Sequence, residues 1–253
     1  PCSFAPLEFA GALSRLLRSE GQVVIADQPM TQHPFFMPYL DAVIAPACVW
    51  TAGRYQSPDA PAMNRLRALS GQKPVVWLMN APPEALSAEA LQRCFQDALF
   101  LGFVPQFESG AAAFPAQLPV AIRLAAAGWR PLGPVRALSP SVAVEHFGPN
   151  ADGLYHLTIR NDDAAKPKEA LLDIPAKDAA FVLNPLSARV EWAKTGRPES
   201  SMTMWPLRPG EVAALDVVPV ARAQEEIAVL RSWAAASGES TACVRNVESA
   251  LLE

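Results

Sequence analysis

Long hydrophobic runs are missing from this chain of 253 residues, and no 18 consecutive positions are apolar, so no segment is suited to span a bilayer as a helix. Positive charge is not in surplus either. Lys and Arg number 21 against 25 Asp and Glu, a net charge of −4, and the basic residues are scattered. That excludes nucleic-acid binding driven by phosphate contacts. No basic stretch leads into an apolar one at the start, so no secretory leader is expected. Histidine is scarce: His33, His146 and His156 are the whole complement, and none has a second His or Cys at ligand spacing. No metal site is expected. Cys2, Cys48, Cys94 and Cys243 never approach a C-x-x-C spacing. They read as ordinary thiols, which behave as small buried hydrophobes, and they leave the redox compartment open. Walker loops, G-x-G-x-x-G and G-x-S-x-G are all absent, so neither nucleotide cofactors nor serine hydrolysis has local support. No cofactor is expected.

What the chain does have is apolar material and a change of rhythm. Hydrophobic residues make up 51%, enough for a substantial core. The 25 prolines are roughly twice the usual share and fall mostly at element edges, where a fixed φ does least harm. Up to about residue 130, buried-strand runs alternate with amphipathic helices. Helices are expected over Leu7 to Arg18, 61–70, from Ser87 to about Leu99, and over Gln117 to Ala127. Strands are expected at 23–26, 41–45, 74–79 and 103–107. Such alternation predicts right-handed βαβ units on a parallel sheet. Four units in about 130 residues match half of an eight-unit barrel, which takes ~250.

From Val142 the period becomes two. Tyr155, Leu157 and Ile159 share one face, opposite His156, Thr158 and Arg160. Further strands are expected at 169–174, 180–183, 187–192, 201–205 and 211–218, punctuated by turn signals such as Asn161-Asp162-Asp163 and Pro209-Gly210. This is an antiparallel sandwich pattern, followed by a helix over 222–236. His146 and His156 read as surface or strand-pairing residues.

Four segments carry a resemblance: Ala126 to Leu132, Val142 to Gly148, Gly153 to Asn161, and Leu207 to Ala213 after the Pro-Gly turn. Their succession resembles bacterial glycoside-hydrolase-like proteins in which a (β/α)8 barrel is followed by a β-sandwich. The expected fold is therefore α/β plus all-β. Residues 1–132 would be the C-terminal half of a TIM-type barrel, and 133–253 a β-sandwich with a terminal helix. The start on Pro1 rather than Met fits a missing N-terminal half of the barrel. The resemblance implies a carbohydrate ligand, a catalytic pair of carboxylates and an extracytoplasmic or secreted location.

In parallel α/β architectures chemistry gathers where strands end, and glycosidic hydrolysis needs two carboxyl groups about 5–9.5 Å apart. Glu108, at the end of the fourth strand, and Asp27, at the end of the first, are the catalytic candidates. A solvated loop carboxylate and a capping Asp are their plainer readings. Asp41 opens its strand at the opposite end and reads as structural. Ala45-Pro46-Ala47 offers no acid where the second strand ends. Asn80 and Gln106 could bind sugar hydroxyls, and Trp50 and Tyr55, in a loop with Gly and Pro, could stack on sugar rings. Trp77, in mid-strand, reads as core. Three readings stay open: a glycoside hydrolase, a non-catalytic carbohydrate-binding or scaffold relative with a decayed site, or a self-contained four-stranded α/β domain with a sandwich that serves protein interaction.

Overall fold

The computed structural model describes residues 4–27, 33–46, 50–51, 54–79, 87–107, 117–149, 154–175, 180–187, 189–197 and 200–237. The chain divides into two compact units, Pro1–Ala98 with Phe103–Ala111, and Leu99–Gly102 with Ala112–Glu253.

The first unit opens with helix α1, Ala5–Ser19, which has proline in its first turn and ends before Gly21 at φ +71°. Strand β1 (Ile25–Asp27), a 3-10 turn (Pro34–Tyr39) and strand β2 (Ala42–Pro46) follow. Next come β3 (Trp50–Thr51), β4 (Arg54–Tyr55) and helix α2 (Ala60–Leu69). Asp59 caps α2 by accepting the Ala62 N–H at 3.0 Å. Strand β5 (Val75–Met79), helix α3 (Ala88–Leu101), whose last turn from Leu99 belongs to the second unit, and strand β6 (Val104–Phe107) follow. Ser87 caps α3 through the Ala90 N–H at 3.1 Å. The four long strands pair in the order β1-β2-β5-β6, all parallel. Each expected strand and helix of this half has a counterpart, but β1 begins at Ile25 instead of Val23, and as an edge strand it is not buried on both faces: Val23 is 69% and Ile25 45% exposed. The 3-10 turn and the β3–β4 hairpin are additions. The hairpin pairs Trp50 with Tyr55 and Thr51 with Arg54, and the aromatic and β-branched members, Trp50, Tyr55 and Thr51, favour extended backbone over the expected loop.

Register sorts this sheet into two unequal faces. Val43, Ala45, Val75, Trp77 and Phe103 fall on one, and each is buried. Trp77 and Phe103 meet edge to face at 5.7 Å, which makes Trp77 core. The opposite face carries Ile25, Ile44, Val76, Leu78 and Val104, all apolar and all only partly covered. Ile25, on the edge strand, remains 45% exposed.

The second unit takes helix α4, Leu118–Ala127, then two short strands, β7 (Trp129–Arg130) and β8 (Arg136–Ala137). The long strands are β9 (Val142–Phe147), β10 (Tyr155–Asn161), β11 (Lys168–Ile174), β12 (Ala180–Asn184), β13 (Arg189–Arg197), β14 (Ser200–Leu207) and β15 (Val212–Pro219). Helix α5, Ala223–Ser237, ends the described chain. The strands run antiparallel in the order β7-β9-β10-β15-β12-β13-β14-β11-β8. Early in its length β13 pairs with β12, and late with β14, so one strand joins two layers. Between the layers lies a core that includes Leu157, Ile159, Leu172, Trp205 and Leu215. The period-two pattern thus predicts the inward face of β10.

The outward face of β10 departs from expectation. His156 and Thr158 are as buried as the core, because β10 and β15 are covered on that side too. The Thr158 hydroxyl donates to the Phe100 carbonyl at 2.7 Å, and the Arg160 guanidinium lies 4.1 Å from the Phe100 ring centre. Every residue of β15 from Val212 to Val218 is buried. A strand buried on both faces has no polar side to show, which is why alternation fades there.

Candidate functional site

The carboxyl ends of the parallel strands hold two of the residues singled out from the sequence. Asp27 pairs with Ile44 at the end of β1, and Gln106 pairs with Leu78 in β6. Both are exposed, and the register puts both on the partly covered face. They stand on opposite edge strands, three strand spacings across, and Gln106 lies two residues further along than the position level with Asp27, so their backbones are ~16 Å apart. The sheet therefore gives them a common face without bringing them into contact. Glu108 and Asn80 lie outside the described residues.

Trp50 and Tyr55 share the β3–β4 hairpin. The Tyr55 hydroxyl donates to Asp97 of α3 at 2.6 Å, which fixes the polar end of the ring inside the unit. Burial, and then the charge of Asp97, raise the Tyr55 pKa above the ordinary phenol value. Neighbouring Cys94 is pushed up to about 12, first by burial and then by Asp97, against the opposing effect of its contact with the Tyr55 hydroxyl. A thiol so far from ionisation is a packing group, not a nucleophile.

Asp41 has a structural task. It accepts Arg18 Nε at 3.0 Å and the Val24 N–H at 2.8 Å, tying α1 to the entry of the sheet. The Arg18 hydrogen bond first, and Val24 second, hold its carboxyl below the usual range. Its contribution is present above the unfolded pKa and fades as pH falls through the folded one. Because Arg18 is 43% and Asp41 31% exposed, Asp41→Asn is expected to cost less than about 1 kcal/mol in urea unfolding.

The densest polar constellation among the described residues lies in the second unit. His156 Nδ1 and Asp216 Oδ1 are 2.6 Å apart on neighbouring strands β10 and β15. Asp216 Oδ2 is 3.1 Å from an Arg123 nitrogen of α4, and that same nitrogen donates to Glu226 of α5 at 2.8 Å. His156, Asp216 and Glu226 are all buried. Burial opposes ionisation of Asp216, but the Arg123 charge and the His156 hydrogen bond outweigh it and hold the carboxyl below its ordinary value. His156 is therefore neither a surface nor a simple pairing residue. The only signal in the sequence was a His and an Asp at positions that would otherwise be apolar in buried strands. His146 is half-buried, its Nε2 2.8 Å from the Val135 carbonyl, and burial lowers its pKa.

Among the described residues no group of three or more His, Cys, Asp or Glu is placed to hold a metal, and no helix is long and apolar enough to cross a membrane.

Together these features define an α/β unit with a parallel four-stranded sheet, joined to an antiparallel β unit. No protein-family model and no curated protein sequence matches the chain. Solved structures similar to it include a family-27 β-L-arabinopyranosidase from Geobacillus stearothermophilus, with 8% identity and a TM-score of 0.37 over 75% of this chain and 60% of that one. A family-44 xyloglucanase from Paenibacillus polymyxa shows 9% identity and a TM-score of 0.40 over 83% and 60%. A family-51 arabinofuranosidase from Xanthomonas axonopodis pv. citri shows 11% and 0.31 over 77% and 57%. The chain thus spans less than two thirds of the length of each.

Proposed function

We propose that this chain is the carboxyl-terminal part of a carbohydrate-active, glycoside-hydrolase-like protein, with the parallel sheet as half of a (β/α)8 barrel and the antiparallel unit as its accessory sandwich. The observation that carries this reading is the inequality of the two sheet faces. One face is sealed. The other is apolar yet only partly covered, and it ends in Asp27 and Gln106. A barrel interior is such a face closed on itself, and its chemistry stands at the carboxyl ends of the strands. On this reading Glu108 and Asp27 are the carboxylates at those ends. Trp50, Tyr55, Asn80 and Gln106 contact sugar, and further βα units from the N-terminal half supply the remaining strands and side chains. Val23, at 69% exposed, and Ile25, at 45%, lead into and lie on the edge strand β1, which such units would cover.

A second reading, a carbohydrate-binding relative without turnover, is favoured by Ala45 and Pro46 at the end of β2, where no acid stands. A panel of aryl glycosides and soluble oligosaccharides separates the two. Hydrolysis that falls in Glu108→Gln, with the unfolding temperature unmoved, supports the first. Hydrolysis equal to wild type in both Glu108→Gln and Asp27→Asn removes these residues from the mechanism. Binding without hydrolysis, lost in Trp50→Ala, supports the second.

A further inference from the structure

We propose that the antiparallel unit carries a separate binding groove for a neutral polysaccharide chain, along β11 and β14 and over the rim at β13. Two adjoining open cavities, of about 490 and 650 Å³, share Glu169, Arg189 and Pro206 in their walls. They therefore form one continuous trough, and each part falls in the range of about 300–1,000 Å³ typical of small-ligand sites. The trough follows from strand register. Glu169 and Leu171 of β11 lie opposite Pro206 and Met204 of β14, and these four alternate with the core residues Ala170, Leu172 and Trp205. Outward-pointing Leu171, Met204 and Pro206 thus make an apolar strip on the solvent side, with Met204 58% exposed.

The charges that border this strip point to the kind of ligand. Acidic Glu169, Glu191 and Glu211 are matched by basic Lys168, Arg189 and Arg208. Two of these pairs are already closed: Arg189 Nε donates to Glu191 at 2.8 Å, and Arg208 Nε to Glu211 at 3.1 Å. Arg189 is further steadied 5.3 Å from the Trp205 ring centre. Lys168 in turn lies 3.3 Å from Asp163, so each basic group of the border is already matched by an acid and a polyanion gains no spare positive charge here. A polyhydroxylated neutral chain finds planar guanidinium donors and carboxylate acceptors beside aliphatic surface for its C–H faces, and the two cavities leave room for more than one sugar unit. The groove is independent of the parallel-strand ends and stands whether or not those ends hydrolyse anything.

Native-gel affinity electrophoresis of the 253-residue protein tests this, with hydroxyethyl cellulose and arabinoxylan as neutral probes and heparin and alginate as charged ones. At least one neutral polymer is expected to retard migration. The double variant Glu169→Ala/Met204→Ala should weaken that retardation about tenfold, a loss of ~1.4 kcal/mol. Arg208→Ala, at an 84% exposed side chain that folding does not need, should weaken it in the same direction. Leu132→Ala, at a 91% exposed side chain outside the trough walls, should leave it unchanged. The proposal is overturned by retardation with charged polymers only, by none with either neutral one, or by retardation that survives both groove variants. Loss in the Asp27 and Glu108 variants alone would move the binding to the strand ends and overturn it as well. Absence of hydrolysis in the glycoside panel bears on the strand ends and leaves this result intact.

Discussion

Gly102→Ala is expected to destabilise the protein by about 3–5 kcal/mol, the sum of a left-handed backbone cost and a core collision. Gly102 follows the last residue of α3 at φ +69°. Its N–H reaches the Leu99 carbonyl at 3.1 Å, and the next N–H, of Phe103, reaches Ala98 at 2.9 Å. That pair of bonds is a Schellman closure, which requires the left-handed conformation glycine adopts freely. The second cost is steric. A methyl group on Gly102 would lie 2.7 Å from Cζ of Phe147 and overlap Cε1. Phe147 is 1% exposed and ends β9, so the ring cannot swing into solvent. Gly71 provides the control, since its φ is +62° but nothing lies within 4 Å of the position. Gly71→Ala should cost only about 1 kcal/mol, the conformational part alone. Urea unfolding of the two variants measures the difference, and Phe147→Leu in the Gly102→Ala background should recover part of the loss. Equal losses at the two glycines would show that the ring yields and the collision has no weight.

Gly102 also illustrates what a sequence discloses and what it withholds. The stop of α3 was legible at Gly102, because glycine after an apolar helical run is a local signal. The ring that forbids a side chain there was not, because Phe147 is 45 positions away and only the fold brings it close. The same division runs through the chain. Val75-Val76-Trp77-Leu78-Met79 announces a buried strand from five consecutive apolar residues. Its neighbours in the sheet follow from right-handed βαβ connection. The alternation of Tyr155, Leu157 and Ile159 predicts which face of β10 meets the core. What alternation could not reveal is a second layer of cover over His156 and Thr158, since a polar residue in a strand reads as solvent-facing until its partner is known. Tyr55 shows the limit for a candidate site. Its place in a loop with Gly and Pro marked it as a stacking candidate, but nothing local announced that its hydroxyl is held by Asp97, on a helix 42 positions later.

Removing one member of the buried network tests the other place where distant residues converge. Asp216→Ala is expected to destabilise the antiparallel unit by about 3–5 kcal/mol, because it leaves His156 and Arg123 without the carboxylate that faces both. The loss exceeds that expected at Asp41 because Asp216 is 5% exposed and water cannot replace it. Asp216→Asn keeps a hydrogen-bonding oxygen for His156 but removes the charge opposite Arg123, so its cost should fall between those of wild type and Ala. Since the native carboxyl titrates below its unfolded value, its contribution is complete above the unfolded pKa of ~4 and disappears as pH falls through the folded pKa. Wild type should therefore lose stability on acidification over that interval more steeply than Asp216→Asn, which has no proton to take up there. Hydrogen exchange of the β15 amides, followed across pH for the three proteins, reads this directly. A change of less than ~1 kcal/mol in Asp216→Ala would mean that Arg123 is satisfied by Glu226 alone, reducing the four-residue network to one ion pair between α4 and α5.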